Sequence, residues 1–318
     1  LRTLDDALAI RRWVTGVHHP GRNGERAGAR QAADGGAPAV VLGGGMVGLK
    51  AAEALAAAGA AVTVAAASRS ILSQVLDPES ARIVQENLEG LGVRFRVGDD
   101  AAAFEGRDSV EGVRLRSGLS LEARTVVVGR GVRPNVGLAK GLPAEVNRGI
   151  VVDEFLRTSV DGIFAAGDAC EAFDPLRGRR AVNALWTTAV EQGRVAGENM
   201  AGCRVEYRGG IASNSLRFGA FCVSSFGDPR GAGDDKVATW RRGGVYRRIV
   251  MRGGRIIGAV EIGPGHSISV LRSLAVMTHE PPRSRRTPVE AFAEAFLHGS
   301  LSFAHVAFHA GMTARARR

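Results

Sequence analysis

The chain has 318 residues, of which 45% are hydrophobic and 23% charged, the balance of a soluble globular protein with room for two domains. With 43 glycines and only 5% aromatics, it favours a loop-rich α/β protein over an aromatic-rich sandwich. The net charge of +10 rests almost wholly on arginines spread along the chain, and no stripe or arm of the kind that binds nucleic acid is formed.

The opening segment, LRTLDDALAIRRWV, has no basic lead or unbroken apolar core, so it reads as an amphipathic helix and not as a signal peptide. A Gly/Pro/charge-rich linker follows to residue 36. It contains His18 and His19, which lack a third ligand nearby and read as solvated loop residues. From residue 38 strands and helices alternate. AVVLG is a continuous apolar strand and MVGLKAAEALAAAG an Ala-rich helix ended by Gly59; AAVTVAA, PESARIVQENLEGLG and VRFRVG continue the pattern. Unbroken apolar strands joined by helices predict a parallel, doubly wound sheet with right-handed crossovers. Two antiparallel strands around Ser117 and Gly118 then lead to an apolar strand at Thr125–Val128, forming a β-meander inserted on that sheet.

A second unit is expected over 149–204, with a strand in GIVVDEFLRT, another at Ile163–Ala166 and a long helix in TTAVEQGRVAGENMAG. Beyond it, short strands separated by RGG turns at Arg242–Gly244 and Arg252–Gly254 predict a small antiparallel sheet over 205–280. A basic tail, 281–318, carries a short amphipathic helix. The Ala-rich run from Ala37 to Ala67 is interrupted by three consecutive glycines, Lys50 and Glu53, which argues against a membrane span. Cys170, Cys203 and Cys222 are far apart with no metal-ligand spacing; they read as reduced, mostly buried thiols of a cytoplasmic protein, and no metal site is indicated.

Gly43-x-Gly45-x-x-Gly48 stands directly after an apolar strand and at the start of a helix. Gly43 permits a tight turn, Gly45 lets the backbone approach a pyrophosphate, and Gly48 lets helix and strand pack closely. The carboxylate that would bind an adenosine ribose is absent from the end of the second strand, where Ala66, Ala67, Ser68 and Arg69 stand instead. Arg69 with Ser68 could face a 2′-phosphate, which leans towards NADPH; equally, Arg69 could be a plain loop cation. Gly167 and Asp168 end the small-residue strand Ile163–Ala166. Spacing alone leaves Asp168 open between a hydroxyl acceptor for a ligand and a turn or N-cap aspartate.

VVLGGGMVGLKAAEAL, VVVGRGVRPN and TSVDGIFAAGDACE, followed by ALWTTAVEQGRVAGENMAG, resemble in content and order the FAD-dependent pyridine-nucleotide oxidoreductases. These include the NADH oxidases, rubredoxin and ferredoxin reductases, and the flavin portion of nitrite reductase. The resemblance covers roughly residues 1 to 280. It implies an NAD(P) domain at 37–148, the second part of an FAD domain at 149–204, and an interface domain at 205–280 that supports a homodimer. By it, Gly43, Gly45 and Gly48 would hold the NAD(P) pyrophosphate, and Gly131 would line the nicotinamide side. Gly167 and Asp168 would meet the FAD ribityl region. The helix starting at Trp186 and Thr187 would point its N-terminus at the flavin.

The implied activity is hydride transfer from NAD(P)H to FAD and onward to a small-molecule or redox-protein acceptor, with no catalytic side chain assigned. The alternative is a non-catalytic NAD(P)-binding or electron-transfer subunit. Three departures qualify the resemblance. The family's first half-domain, with its own GxGxxG and in several members a redox-active cysteine, is absent from this sequence. Position 50, often Glu, is Lys50, and Ala66 replaces the ribose acid. A chain opening on Leu1 without that half-domain is expected to be a fragment lacking roughly a hundred residues, and to bind FAD weakly by itself.

Overall fold

The computed structural model describes residues 4, 5, 8, 36–264, 268–279, 289–299 and 301. Of the expected first helix, residues 4, 5 and 8 are helical; the linker with His18 and His19, and most of the basic tail, lie outside the described residues. The chain divides into two compact units, Leu1–Gly131 and Val132–Arg318.

The first unit is built on β1 (Pro38–Leu42), α1 (Met46–Ala57), β2 (Ala61–Ala66), α2 (Pro78–Glu89), β3 (Arg94–Val97) and β7 (Thr125–Val128). The four strands form one parallel sheet in the order β3-β2-β1-β7. Strand β1 is buried from Ala39 to Leu42 and β2 from Val62 to Ala66, which is why both read as continuous apolar runs. Asp77 caps α2 by accepting from the Glu79 and Ser80 N–H groups, with Pro78 at the first helical position.

The inserted meander has three strands, β4 (Ala101–Glu105), β5 (Gly112–Leu115) and β6 (Ser120–Glu122), where the sequence suggested two. Strand β4 was missed because AAAFE carries no polar/apolar alternation and has three alanines, which are poor strand formers. Val113, Leu115 and Ala123 of the meander pack with Val40, Leu42 and Ala65 of the parallel sheet.

The second unit starts with β8 (Ile150–Val151), β9 (Cys170–Asp174) and β10 (Arg179–Ala181), in the order β10-β9-β8, followed by α3 (Trp186–Met200). The expected strand at Ile163–Ala166 is not formed. Gly162 and Gly167, at φ 72° and 76°, bound a short segment that pairs back on residues 156–158 through one isolated bridge, Arg157 with Phe164, and not as a ladder. Asp168 therefore lies in a single 3-10 turn, Gly167–Ala169, just before a strand and not at the end of one.

The remainder is the predicted antiparallel sheet, β11 (Ser213–Phe218), β12 (Phe221–Gly227), β13 (Lys236–Arg242), β14 (Val245–Arg252) and β15 (Arg255–Gly263), in the order β11-β12-β15-β14-β13. Helices α4 (Ile268–His279) and α5 (Val289–Leu297) contribute Leu271, Ala275, Phe296 and Leu297 to its core with Phe226, Ile249 and Ala259. A buried Arg247 donates to Glu261 at 2.9 Å and to the Leu297 carbonyl at 3.3 Å, tying the end of α5 to the sheet. Cys170 and Cys222 are buried, but Cys203, expected among the buried thiols, is exposed beyond the end of α3. Among the described residues no helix is long and apolar enough to cross a membrane, and no group of His, Cys, Asp and Glu could hold a metal ion.

Candidate functional site

The carboxyl end of β1 turns into α1 through Gly43, Gly44 and Gly45, and backbone packing fixes that turn. Gly43 sits at φ 120°, and a Cβ there would stand 2.4 Å from the Gly129 carbonyl oxygen. A Cβ on Gly48 would stand 2.0 Å from the Gly43 carbonyl oxygen, and one on Gly129 would stand 2.8 Å from Gly48 Cα. Three glycines are thus stacked backbone to backbone where β1, α1 and the end of β7 meet, an approach no larger residue permits. Gly44 is held from the other side, its carbonyl accepting from Leu72 N–H at 2.7 Å.

Gly45 is different: a Cβ there would meet nothing within 4 Å. It is the N-cap of α1, with no side-chain cap and no acidic residue in the first turn. The first intrahelical bond runs from Leu49 N–H to the Gly45 carbonyl at 2.9 Å, so the N–H groups of Met46, Val47 and Gly48 lie ahead of it. A helix end with open space before it, free donors and a positive dipole end is suited to an anion.

At the end of β2, Ser68 donates its hydroxyl to the Ser70 carbonyl at 2.7 Å. Arg69 is exposed and has no ion pair among the described residues. Across the sheet, Gly131 is at φ 83° with open space around its Cα. Sequence reading missed its neighbours: Gly129, which completes the glycine stack, and Arg130, which pairs with Asp100 at 2.5 Å. The signal for Gly129 was a glycine directly after an apolar strand, but only the fold brings it against Gly48.

In the second unit, the 3-10 turn of Gly167–Ala169 packs on the first turns of α3. A Cβ on Gly167 would lie 3.5 Å from Ala189 Cβ. The buried Gln192 holds the turn there: its amide oxygen accepts from Gly167 N–H at 2.8 Å and from the Cys170 thiol at 3.1 Å. Its amide nitrogen donates to the Tyr207 hydroxyl at 3.2 Å. Burial pushes both the Cys170 thiol and the Tyr207 hydroxyl up to about 12, against the lowering effect of the Gln192 hydrogen bonds. Cys170 is therefore a neutral core thiol and not a nucleophile. Gln192 is a third residue that sequence reading missed.

Asp168 sits in this turn and is exposed, but among the described residues its carboxylate accepts no hydrogen bond, so it neither caps a helix nor ties the turn. Helix α3 begins at Trp186 with no side-chain cap and no acidic residue in its first turn; Trp186 is 80% exposed and Thr187 is exposed beside it. The fold therefore brings Gly167, Asp168 and the open N-terminus of α3 together within this unit, as it brings Gly43, Gly45, Gly48 and Gly131 to one edge of the other.

Residues 4–193 match the family described as pyridine nucleotide-disulphide oxidoreductase. The chain is 34% identical over 230 residues to the nitrite reductase [NAD(P)H] of Bacillus subtilis (strain 168), covering 71% of this chain and 28% of that protein. It is 38% identical over 143 residues to the rubredoxin-NAD(+) reductase of Ectopseudomonas oleovorans, covering 45% and 37% respectively. Among solved structures, an NAD-dependent persulfide reductase from A. fulgidus matches with a TM-score of 0.71 and 25% identity, over 89% of this chain and 56% of that one. The chain thus spans less than half the length of these two curated relatives. With the glycine-stacked turn, the α/β sheet and the antiparallel sheet all present, the chain belongs to the pyridine nucleotide-disulphide oxidoreductase family.

Proposed function

We propose that this chain carries the nicotinamide-dinucleotide site and part of the flavin site of an FAD-dependent NAD(P)H oxidoreductase. The observation that carries the reading is the glycine stack of Gly43, Gly48 and Gly129 beneath an uncapped helix with open space at Gly45. The residues fit both cofactors. The N–H groups at the start of α1 would neutralise the NAD(P) pyrophosphate, with Gly131 leaving room beside it. Asp168, unengaged among the described residues, would accept a ribityl hydroxyl of FAD, with Gly167 beneath it. The N-terminus of α3 at Trp186 and Thr187 would stabilise negative charge on the flavin ring.

Bound together, the two cofactors supply hydride transfer from the nicotinamide to the flavin, whose electrons pass on to a separate acceptor. The chain's own residues bind, orient and tune charge, and no acid–base side chain is assigned. A small redox protein is the favoured acceptor class, in keeping with the rubredoxin reductase relative, and the antiparallel sheet unit is read as a dimerisation surface. Arg69, exposed and without an ion pair among the described residues, would face a 2′-phosphate, which favours NADPH over NADH.

Anaerobic mixing of the FAD-loaded protein with NADPH and with NADH tests the reading. Loss of the flavin's visible absorbance, faster with NADPH, is expected. Nucleotide binding without loss of absorbance would favour the non-catalytic subunit, and no binding of either nucleotide would reject the reading.

A further inference from the structure

An arginine and an aspartate meet over the ligand edge of the parallel sheet. β3 and β7 are the outer strands, with β2 and β1 between them. Asp100 follows β3, and Arg130 follows β7. The segment after β3 runs beside the end of β2, Gly98 N–H donating to the Ser68 carbonyl and Asp99 N–H to the Ala66 carbonyl. Arg130 leaves beside the end of β1, where its backbone N lies 3.3 Å from the position a Cβ on Gly43 would take. The Arg130–Asp100 ion pair, 2.5 Å long, therefore lies over the carboxyl ends of the two central strands. In open α/β sheets a dinucleotide lies along this edge.

The two partners are not equivalent. Asp100 is 17% exposed, and its Oδ1 also accepts from Ala101 N–H at 2.9 Å, while Oδ2 stands 4.0 Å from Arg116. Its position is thus set without Arg130. Arg130 is 49% exposed, and its one hydrogen bond among the described residues comes from a single terminal nitrogen. A guanidinium has five donors, so most of this one remains available to a ligand. The glycine turn itself supplies no cationic side chain.

Resting on the reading above, we propose that Arg130 binds the diphosphate of the bound dinucleotide, with Asp100 setting its position. Arg130 would add a charge-assisted hydrogen bond to the backbone donors of α1. Asp100, an anion on the same edge, orients the guanidinium but opposes the phosphate charge. The two substitutions should therefore act with opposite signs, which a purely structural ion pair would not produce.

Equilibrium binding of NADH, NADPH and ADP-ribose to the wild-type chain, R130M and D100N tests this, with thermal unfolding recorded for each. R130M should weaken all three by about tenfold or more, the range of one charge-assisted hydrogen bond. D100N should bind all three more tightly than wild type. Equal affinities for R130M and wild type, loss confined to NADPH, or D100N binding no tighter than wild type would overturn the proposal. If R130M fails to fold, D100N decides alone, tighter binding supporting the proposal and equal or weaker binding refuting it. Failure of the wild-type chain to bind any of the three would instead sink the nucleotide reading itself.

Discussion

Two open helix ends stand at the two candidate cofactor positions, and they are positioned by different means. The N-terminus of α1 is set by backbone stacked on backbone, Gly43, Gly48 and Gly129, with no side chain involved. The turn against α3 is set by one buried side chain, Gln192, bonded to Gly167 from 25 residues away along the chain. The first arrangement fails when an atom is added, and the second when a hydrogen bond is removed. Each set of contacts lies within its own unit.

The largest effect is expected from Gly48→Ala. Its Cβ would stand 2.0 Å from the Gly43 carbonyl oxygen, and neither backbone has room to retreat while Gly129 presses from beyond. Overpacking of this kind costs about 1–3 kcal/mol, and the displaced turn should also lose nucleotide binding. Chemical denaturation with parallel NADPH titration checks both. Near-native affinity in this variant would show that the stack is not what shapes the site.

Gln192→Leu comes next. It would leave Gly167 N–H and the Tyr207 hydroxyl without their partner, at about 1–3 kcal/mol for a buried unsatisfied group. The loss should appear in unfolding of the second unit, with nucleotide affinity of the first unchanged. A parallel fall in nucleotide affinity would contradict the independence of the two sites.

Gly45→Ser sharpens the contrast within the first site. Gly45 has φ −85° and ψ 179°, ordinary N-cap geometry, with open space where the side chain would go. A serine there should cap α1 and leave stability unchanged or raised by a few tenths of a kcal/mol. The same hydroxyl would occupy donors needed by the pyrophosphate, so NADPH affinity should fall. Stability and affinity moving in the same direction would refute this.

The Gln192 cluster also gives the second unit a pH dependence that the glycine stack lacks. The folded Cys170 thiol is held near 12 against an ordinary value of 9.0, and Tyr207 near 12 against 10.0. Both keep their protons in the folded state after the unfolded chain would have released them. Their contribution to stability is therefore complete below about pH 9 and is lost as pH rises towards 12. Cys170→Ala with Tyr207→Phe should flatten that fall in the unfolding midpoint. At pH 8 a thiol reagent should label exposed Cys203 in the native protein and spare Cys170.

The same difference decides what could be read from the sequence. The β1–α1 turn was legible because its spacing is local and apolar β1 announces where the glycines sit. Gly129 and Arg130 were missed because their partners, Gly48 and Asp100, come from distant segments that meet only through sheet order. Gln192 reads as a polar residue on a helix until Tyr207 and the Gly167 turn enclose it. Asp168 was given a strand end because Ile163–Ala166 looks like a strand; two positive-φ glycines turn that segment into a loop instead. Its carboxylate nevertheless stands exposed beside α3.

The most direct test of the central claim is to map backbone amide signals of the chain during titration with ADP-ribose, then NADPH. The account predicts that ADP-ribose perturbs the amides from Gly43 to Leu49 together with Gly129, Arg130 and Gly131, leaving Gly167 and Asp168 unchanged. Binding that leaves the Gly43–Leu49 amides unmoved would contradict it.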